Sequence, residues 1–437
     1  MKHSCAALLL VIAVSALGAD RMEFLDNGTL KLGINLDLGG SITYVSKSGS
    51  NENLVNSWDW GRQIQQSYYG DPVPFGNPAP HWKGLGWNPI QSGDHFKNRS
   101  KILAHRNDGK ELYVKNIPMI WPVDNVPAEC TFETWITLDA NTARVRCKLV
   151  NARSDTTQYR PRTQELPAVY TNGKFWKLMT YTGQAPFSGG EVTRIPKVVK
   201  PKNGFPWSHW TATEGWAALV NDADWGLGLF SPNTFQYVGG FAGKENTGGE
   251  KDDPCGYFAP VRDEILDHNI VYDYSYMLIL GSLTEIRDFV YKNKFDARPD
   301  WNFKADRQHW TFRNADDAGW PVTSHWHVKL EKNDPQLYST VTAWQAAETP
   351  KLYIRAATNA KQRGARLYWK SHGDESFGED RVVSFDWKND GTFQTIEIDL
   401  AAQLSYKGLI AQFRLDPVPA GGEGEYIKIE RISWRKD

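Results

Sequence analysis

The chain has 437 residues, with 50 basic and 51 acidic side chains and a formal net charge of -1. That balance excludes a global field able to collect nucleic acid or an anionic membrane surface, and four cysteines are too few to build a disulfide-stapled fold of this length. The unusual figure is aromatic: 19 Trp, 18 Tyr and 19 Phe. Large β-sheet cores use such rings, but Trp and Tyr also offer a flat apolar face with a polar edge. Sugars, with one CH-rich face and a rim of hydroxyls, suit that surface.

Residues 1–19 carry Lys2, an apolar run from Ala6 to Ala16, and small residues at Gly18 and Ala19. This is the pattern of a secretory signal peptide, with the mature chain starting at Asp20. The run falls short of the roughly 20 residues that cross a bilayer, so the expected location is secreted, extracellular or periplasmic, without a membrane partner. Beyond Cys5 there remain Cys130, Cys147 and Cys255, enough for one disulfide at most. In TFETWITLDANTARVRC a turn centred on Ala140 and Asn141 sets Cys147 opposite Thr134 and out of register with Cys130, which leaves a pairing with Cys255 open. Two sequons, at Asn27 and Asn98, fit a secreted surface.

Strand signals dominate the rest of the chain. Residues 31–38, 111–121, 131–138, 143–150, 216–221 and 274–280 are alternating or apolar runs separated by Gly, Asn and Asp turns. One helix is expected in SLTEIRDFVYKNKF, where Ser282 and Glu285 form a capping box, Ile286, Phe289 and Val290 share a face, and Asn293 ends the pattern. DARPDW at 296–301 brings Pro299 and a shift in polarity, read as a linker. Beyond it, residues 351–358, 365–370, 382–387, 394–400, 409–415 and 426–434 alternate at spacings expected of a compact β-sandwich. The predicted fold is all-β: a large antiparallel β-sandwich over residues 20–298, then a smaller jelly roll over 299–437.

The opening stretch LGGSITYVSKSGSNENLVNSWDWGRQIQQSYY resembles the galactose-mutarotase-like supersandwich proteins, and the end of the chain, with AQFRLDP and YIKIERISW, is similar to galactose-binding-like jelly rolls that serve as carbohydrate-binding modules. The resemblance implies a sugar site on the first sandwich, a glycan-holding second domain, and a glutamate near a strand end acting as a base. On that resemblance Glu165 is the leading carboxylate.

The residues themselves support several candidates. Residues 56–75 gather Arg62, Gln65, Tyr68 and Tyr69, a fork of donors and directional amides beside stacking faces; the plainer alternative pairs Arg62 with Asp59. The loop 77–96 collects His81, Trp82, Trp87, Asn88, Gln91, Asp94 and His95, and a long loop on a rigid scaffold is often functional. His titrates nearest neutral pH, so His81 or His95 is a candidate acid or base. In RPRTQELPAVYTNG, Glu165 sits beside Leu166, Pro167 and Ala168, and burial there raises a carboxyl toward the range of a general acid; Tyr170 lies just beyond. An ion pair of Glu165 with Arg160 or Arg162 is the bland alternative. GFPWSHWTATEGW adds Trp207, His209, Trp210 and Glu214 as an opposite wall, while residues 238–258 are polar and Gly-rich enough to form a mobile lid. Trp320, His325, Trp326, His327 and Asp416 are candidates for a binding face or ion site in the second domain, core packing being the commoner role for each Trp.

The chain lacks HExxH, paired CxxC, GxSxG and Walker motifs. No spacing requires a metal or a cofactor, although a carboxylate cage drawn from distant residues would leave no trace in sequence. The expected function is that of a secreted enzyme hydrolysing a polysaccharide or oligosaccharide, with Glu165 as one carboxylate and Asp94 or Glu214 as the other. Two alternatives stay open: a lyase using Tyr68 or His81 on a uronate held by Arg62 or Asn88, and a lectin-like protein that only binds.

Overall fold

A computed structural model describes residues 20–199 and 204–436. The expected signal peptide, residues 1–19, lies outside the described residues. All named strand pairings are antiparallel, and the alternating runs become strands close to their expected bounds: Lys351–Thr358, Leu409–Asp416, Tyr426–Ser433 and Thr142–Asn151. Apolar residues at every second position bury one face of each and leave the other polar.

In the first part of the chain, two large sheets enclose the main core. A nine-stranded sheet runs from Thr193–Arg194 at one edge to Lys101–Asn107 at the other. Facing it is a seven-stranded sheet with the spatial order Trp207–Thr211, Gln236–Ala242, Cys255–Glu264, Arg162–Asn172, Gln65–Ser67, Pro89–Ile90 and Met119–Ile120. Leu149, Tyr237, Phe258, Val169 and Leu278 from the two sheets meet in one buried cluster. Residues 22–47 add a three-stranded sheet.

The expected turn at Ala140 places Cys147 opposite Thr134, and all three described cysteines are free and buried, Cys255 included. Leu283–Lys292 is the helix, and it has the expected capping box. Ser282 Oγ accepts from the Glu285 backbone, Glu285 accepts from Ser282 N–H at 2.8 Å, and Ile286 and Val290 are buried beneath it. Among the described residues no helix is long and apolar enough to cross a membrane.

Two six-stranded sheets come next, with their own aromatic core around Trp310, Trp326, Trp344, Trp369 and Phe413. A buried ionic network joins them to the first sandwich. Arg307 donates to Asp317 at 2.5 and 3.0 Å and to Asp267 at 2.6 Å, and Gln158 donates to both carboxylates. Nearby, Glu264 accepts from Arg262 at 2.6 Å and from Tyr272 at 2.9 Å, and lies 2.7 Å from His309 Nδ1. Burial pushes the Glu264 carboxyl up, but His309 and Arg262 outweigh it and hold it down at about 2. Burying charges is tolerated only when each is paired and hydrogen-bonded, and these are.

Candidate functional site

The seven-stranded sheet has a second face, turned away from the core. Period-2 alternation puts Tyr257, Ala259, Val261 and Asp263 on that face of one strand, and Thr163 and Glu165 on that face of its neighbour. With Trp207, His209 and Val238, all of these but Ala259 line an open cavity of about 480 Å³. A register shift between Glu165 and Val169 breaks the ladder beside the acid. Such bulges re-aim side chains next to functional sites.

Glu165 sits in the floor, half-buried, its access to solvent running through the cavity. Tyr69 Oη–H donates to Oε2 at 3.1 Å, and Tyr257 Oη–H donates to Oε1. Burial pushes the Glu165 carboxyl above the ordinary value, and the two phenol donors pull back without cancelling it. Burial and the adjacent Glu165 charge push both phenols well above the usual tyrosine value, so they remain protonated donors. The expected desolvated acid is therefore present, and its partners are tyrosines rather than Arg160 or Arg162, which instead face Asp71 at 2.6 and 3.6 Å.

The ring of Trp207 lies 4.8 Å from that of Tyr257, and Tyr170 lies 4.7 Å from the same ring. Gly240 makes this possible: a Cβ there would collide with the Pro206 carbonyl and press on the Trp207 ring. Outward from the cavity, Phe205 stacks on Trp207 at 6.2 Å and Trp82 on Phe205 at 6.5 Å. Trp82 in turn meets His81, His95 and Trp121 edge-on. A strip of rings thus leads from the carboxyl to the surface, where Phe205 is half exposed.

Most of the other expected residues lie elsewhere. Tyr68 is fully buried in the core and hydrogen-bonds Gln66, so it cannot meet a ligand. Gln65, Trp87, Asn88 and Gln91 are buried as well. The physical reason is that Gln65–Ser67 is a three-residue strand, and the amides finish the pairing its short ladder leaves open. Gln65 Oε1 accepts from Ser92 N–H at 3.0 Å, Gln91 Oε1 from Gln66 N–H at 3.0 Å, and Asn88 Nδ2–H donates to Tyr68 O at 2.7 Å. Arg62 pairs with Asp59, as the plainer alternative has it, and also with Asp253. Of residues 56–75, Tyr69 alone reaches the cavity.

Asp94 is fully buried, its oxygens accepting from the backbones of Phe96, Asn98 and Asn125 and from the Asn98 amide, which makes it the anchor of its loop. Glu214 is also fully buried and is bound to Arg287 and Tyr291 beside the helix. Neither lines the cavity, and neither do His81 and His95. Trp207 and His209 do, whereas Trp210, three positions on from Trp207, turns to the core against Tyr237 at 5.8 Å.

The Gly-rich stretch 238–258 is not one long loop, as a lid would be. Gln236–Ala242 and Cys255–Glu264 are paired strands, and the turn between them is pinned by Asn53 to Glu250 and Asn56 to the Asp252 carbonyl. Sequence reading thereby missed Tyr257 and Asp263, although Tyr257, Ala259, Val261 and Asp263 fall at strict two-residue spacing. In the second part, Asp416 is bound to Arg414, the His325 and His327 rings are 6.3 Å apart, and among the described residues no three His, Cys, Asp or Glu side chains gather as a metal site.

No family model matches this sequence, and no curated protein does. Among solved structures, a galactose mutarotase-like protein from Lactobacillus casei is 12% identical, covering 59% of this chain and 99% of its own, with a TM-score of 0.37. Another galactose mutarotase-like protein, from Clostridium acetobutylicum, is 9% identical over 60% of this chain and 96% of its own, with a TM-score of 0.36. A 4-alpha-glucanotransferase from Thermococcus litoralis is 10% identical over 61% of this chain and 38% of its own, with a TM-score of 0.33. The structural neighbours of the chain thus include galactose mutarotase-like proteins, at low identity.

Proposed function

We propose that the cavity is the active site of a secreted carbohydrate-active enzyme that hydrolyses a glycosidic bond, with Glu165 as the proton donor to the leaving oxygen. The observation that carries this reading is a single one: a carboxyl with a raised pKa, held by two tyrosine hydroxyls in the floor of a cavity walled by an indole ring. A desolvated carboxyl holds its proton to higher pH than a free one, which is the direction a general acid requires, and the Trp207 ring gives the sugar's CH face a surface to stack on.

Hydrolysis requires a second carboxylate, and Asp263 takes that place instead of Asp94 or Glu214. Glu165 pairs across the ladder with Val261 and Thr163 with Asp263, so Asp263 is the diagonal neighbour of Glu165 on the same face. Diagonal neighbours on one sheet face stand roughly 7–8 Å apart, their Cβ atoms somewhat less, a spacing consistent with two carboxyls that hold a water between them as in an inverting hydrolase, at about 6.5–9.5 Å. Thr163 Oγ1–H donates to Asp263 at 2.6 Å and fixes its orientation. In the step itself the Glu165 proton passes to the glycosidic oxygen as the C–O bond breaks; Asp263 takes a proton from the water that adds at the anomeric carbon.

The test is product mass after incubation with a panel of neutral and acidic polysaccharides, for wild type and for Glu165→Gln and Asp263→Asn. Oligosaccharides heavier by one water, lost in both variants, support the reading. Unsaturated ends, or turnover that survives both substitutions in folded protein, sink it. Glycans retained but never cleaved would leave binding as the function. Secretion is tested by N-terminal sequencing of protein from the culture medium, with Asp20 expected first.

A further inference from the structure

The Glu165 cavity does not end at its own rim. Pro161, Arg162 and Asp263 line it and also line a cleft of about 1120 Å³ whose far wall comes from the second part of the chain. That wall is the outward face of the sheet containing Thr311–Arg313, Gln336–Tyr338, Ala365–Ser371 and Leu409–Asp416. Its alternation is regular. Leu337, Leu367, Phe413 and Leu415 point into the core, while Tyr338, Lys370 and Arg414 point into the cleft.

The register places these side chains in rows: Tyr338 lies opposite both Thr311 and Arg414, and Lys370 lies opposite Gln412. Phe377 covers the end, its ring 5.8 Å from that of Tyr338. Arg313 stands over Tyr338 at 5.6 Å and Lys370 over Phe377 at 5.7 Å. Arg414 is paired with Asp416, and Arg160 and Arg162 share the single carboxylate of Asp71. Among the described residues, Arg313 and Lys370 have no ion pair within 4 Å. Of the acids lining the same cleft, Asp316 is taken by Lys332 at 2.7 Å and Asp263 accepts from Thr163. Glu375 is exposed at the mouth.

Lys370 is partly buried, and desolvation lowers its pKa against the weaker pull of Asp374. Asp374 is itself paired with Arg381 at 3.3 Å, so an anionic group in the cleft would give the partly desolvated ammonium a closer counter-charge. A ring beside each free cation fits a sugar unit that carries an anionic group: the ring takes the CH face and the cation takes the charge.

We propose that this cleft binds an acidic polysaccharide, the chain running from the Glu165 cavity past Arg162 and Asp263 onto Tyr338 and Phe377, with its anionic groups at Arg313 and Lys370. The substrate of the Glu165 site is then an acidic polymer, and in that respect the inference rests on the hydrolytic reading. Binding in the cleft does not depend on it.

Affinity electrophoresis of the full-length protein separates the two. The gels carry polygalacturonate, a sulfated galactan or a neutral β-glucan, and are run at low and at raised salt. Retardation in an acidic gel, weakening with salt and absent from the neutral one, is expected; the carboxylated and sulfated gels tell which anion is read. Arg313→Gln with Lys370→Gln should weaken the acidic interaction about a hundredfold, since each lost charge-assisted contact is worth about tenfold. Glu165→Gln should abolish turnover and leave retardation unchanged. Equal retardation by the neutral glucan, retardation by none of the three, or undiminished binding in the folded double variant overturns the proposal. Turnover that survives Glu165→Gln with acidic binding intact overturns the hydrolytic reading alone.

Discussion

Two glutamates of the first sandwich lie among aromatic residues, Glu214 fully buried and Glu165 half-buried beneath an open cavity, and they differ in what binds them. Glu214 accepts from five donors: the backbone of Phe187, the Trp216 indole, two Arg287 nitrogens and the Tyr291 hydroxyl, all at 2.9–3.1 Å. Its lone pairs are spent and a guanidinium neutralises it. Glu165 has two phenols, a cavity above it and, among the described residues, no cation bonded to it. On the proposed reading, burial alone does not mark a reactive acid; Glu165 differs from Glu214 in keeping hydrogen-bonding capacity in reserve and a path by which a ligand arrives.

The comparison predicts opposite responses to the same substitution. Glu165→Gln should lower kcat by at least about 10²–10⁴, the usual contribution of a general acid, while the melting temperature stays close to wild type. Glu214→Gln should do the reverse, leaving kcat per folded molecule unchanged. Removing the group altogether, in Glu214→Ala, strands Arg287 and should cost about 3–5 kcal/mol of stability, read from urea denaturation. If the two variants behaved alike, the distinction between a spent and an available carboxyl would be lost.

A further comparison sharpens the Glu165 side of it. As an acid Glu165 works while protonated, so activity should fall as pH rises through its elevated pKa. Tyr257→Phe removes a donor that favours the carboxylate, raising the pKa further. The alkaline limb of kcat/KM should then move up by roughly 0.5–1 unit, as one hydrogen bond of about 1 kcal/mol dictates. A shift to lower pH would mean that the phenol does not stabilise the charged form.

The ionic network between the two parts offers the smallest test. Glu264 has its pKa lowered from 4.5 to about 2, so its contribution to stability is complete above about 4.5 and is lost as pH falls toward 2. The thermal midpoint should decline over that window, less steeply in His309→Ala, which removes one of the groups holding the carboxyl down.

How far all this could be read from the chain depends on the segment. Residues 351–358 and 426–433 alternate so regularly that their faces are fixed by pattern, and the capping box at Ser282 and Glu285 announces the helix with its own hydrogen bonds. The strands 236–242 and 255–264 are hidden because Gly239 and Gly240, needed where Trp207 and the neighbouring strand come close, look like loop residues. The amides of Gln65, Gln66 and Gln91 look ligand-facing because glutamine is ordinarily exposed; here they repair a short ladder in the interior. Tyr68 and Tyr69 are adjacent and chemically identical, and the pleat sends one to the core and the other to the acid.

By itself the sequence determined the all-β architecture, the place of the helix, the misregister of Cys130 and Cys147, and Glu165 as a carboxyl beside apolar neighbours, since these depend on periodicity and nearby residues. Which carboxyl remained available, which ring stacked over it, and that Asp263, nearly a hundred residues further on, came to lie beside it were decided by the tertiary structure. Strand register and desolvation are set by partners distant in the chain.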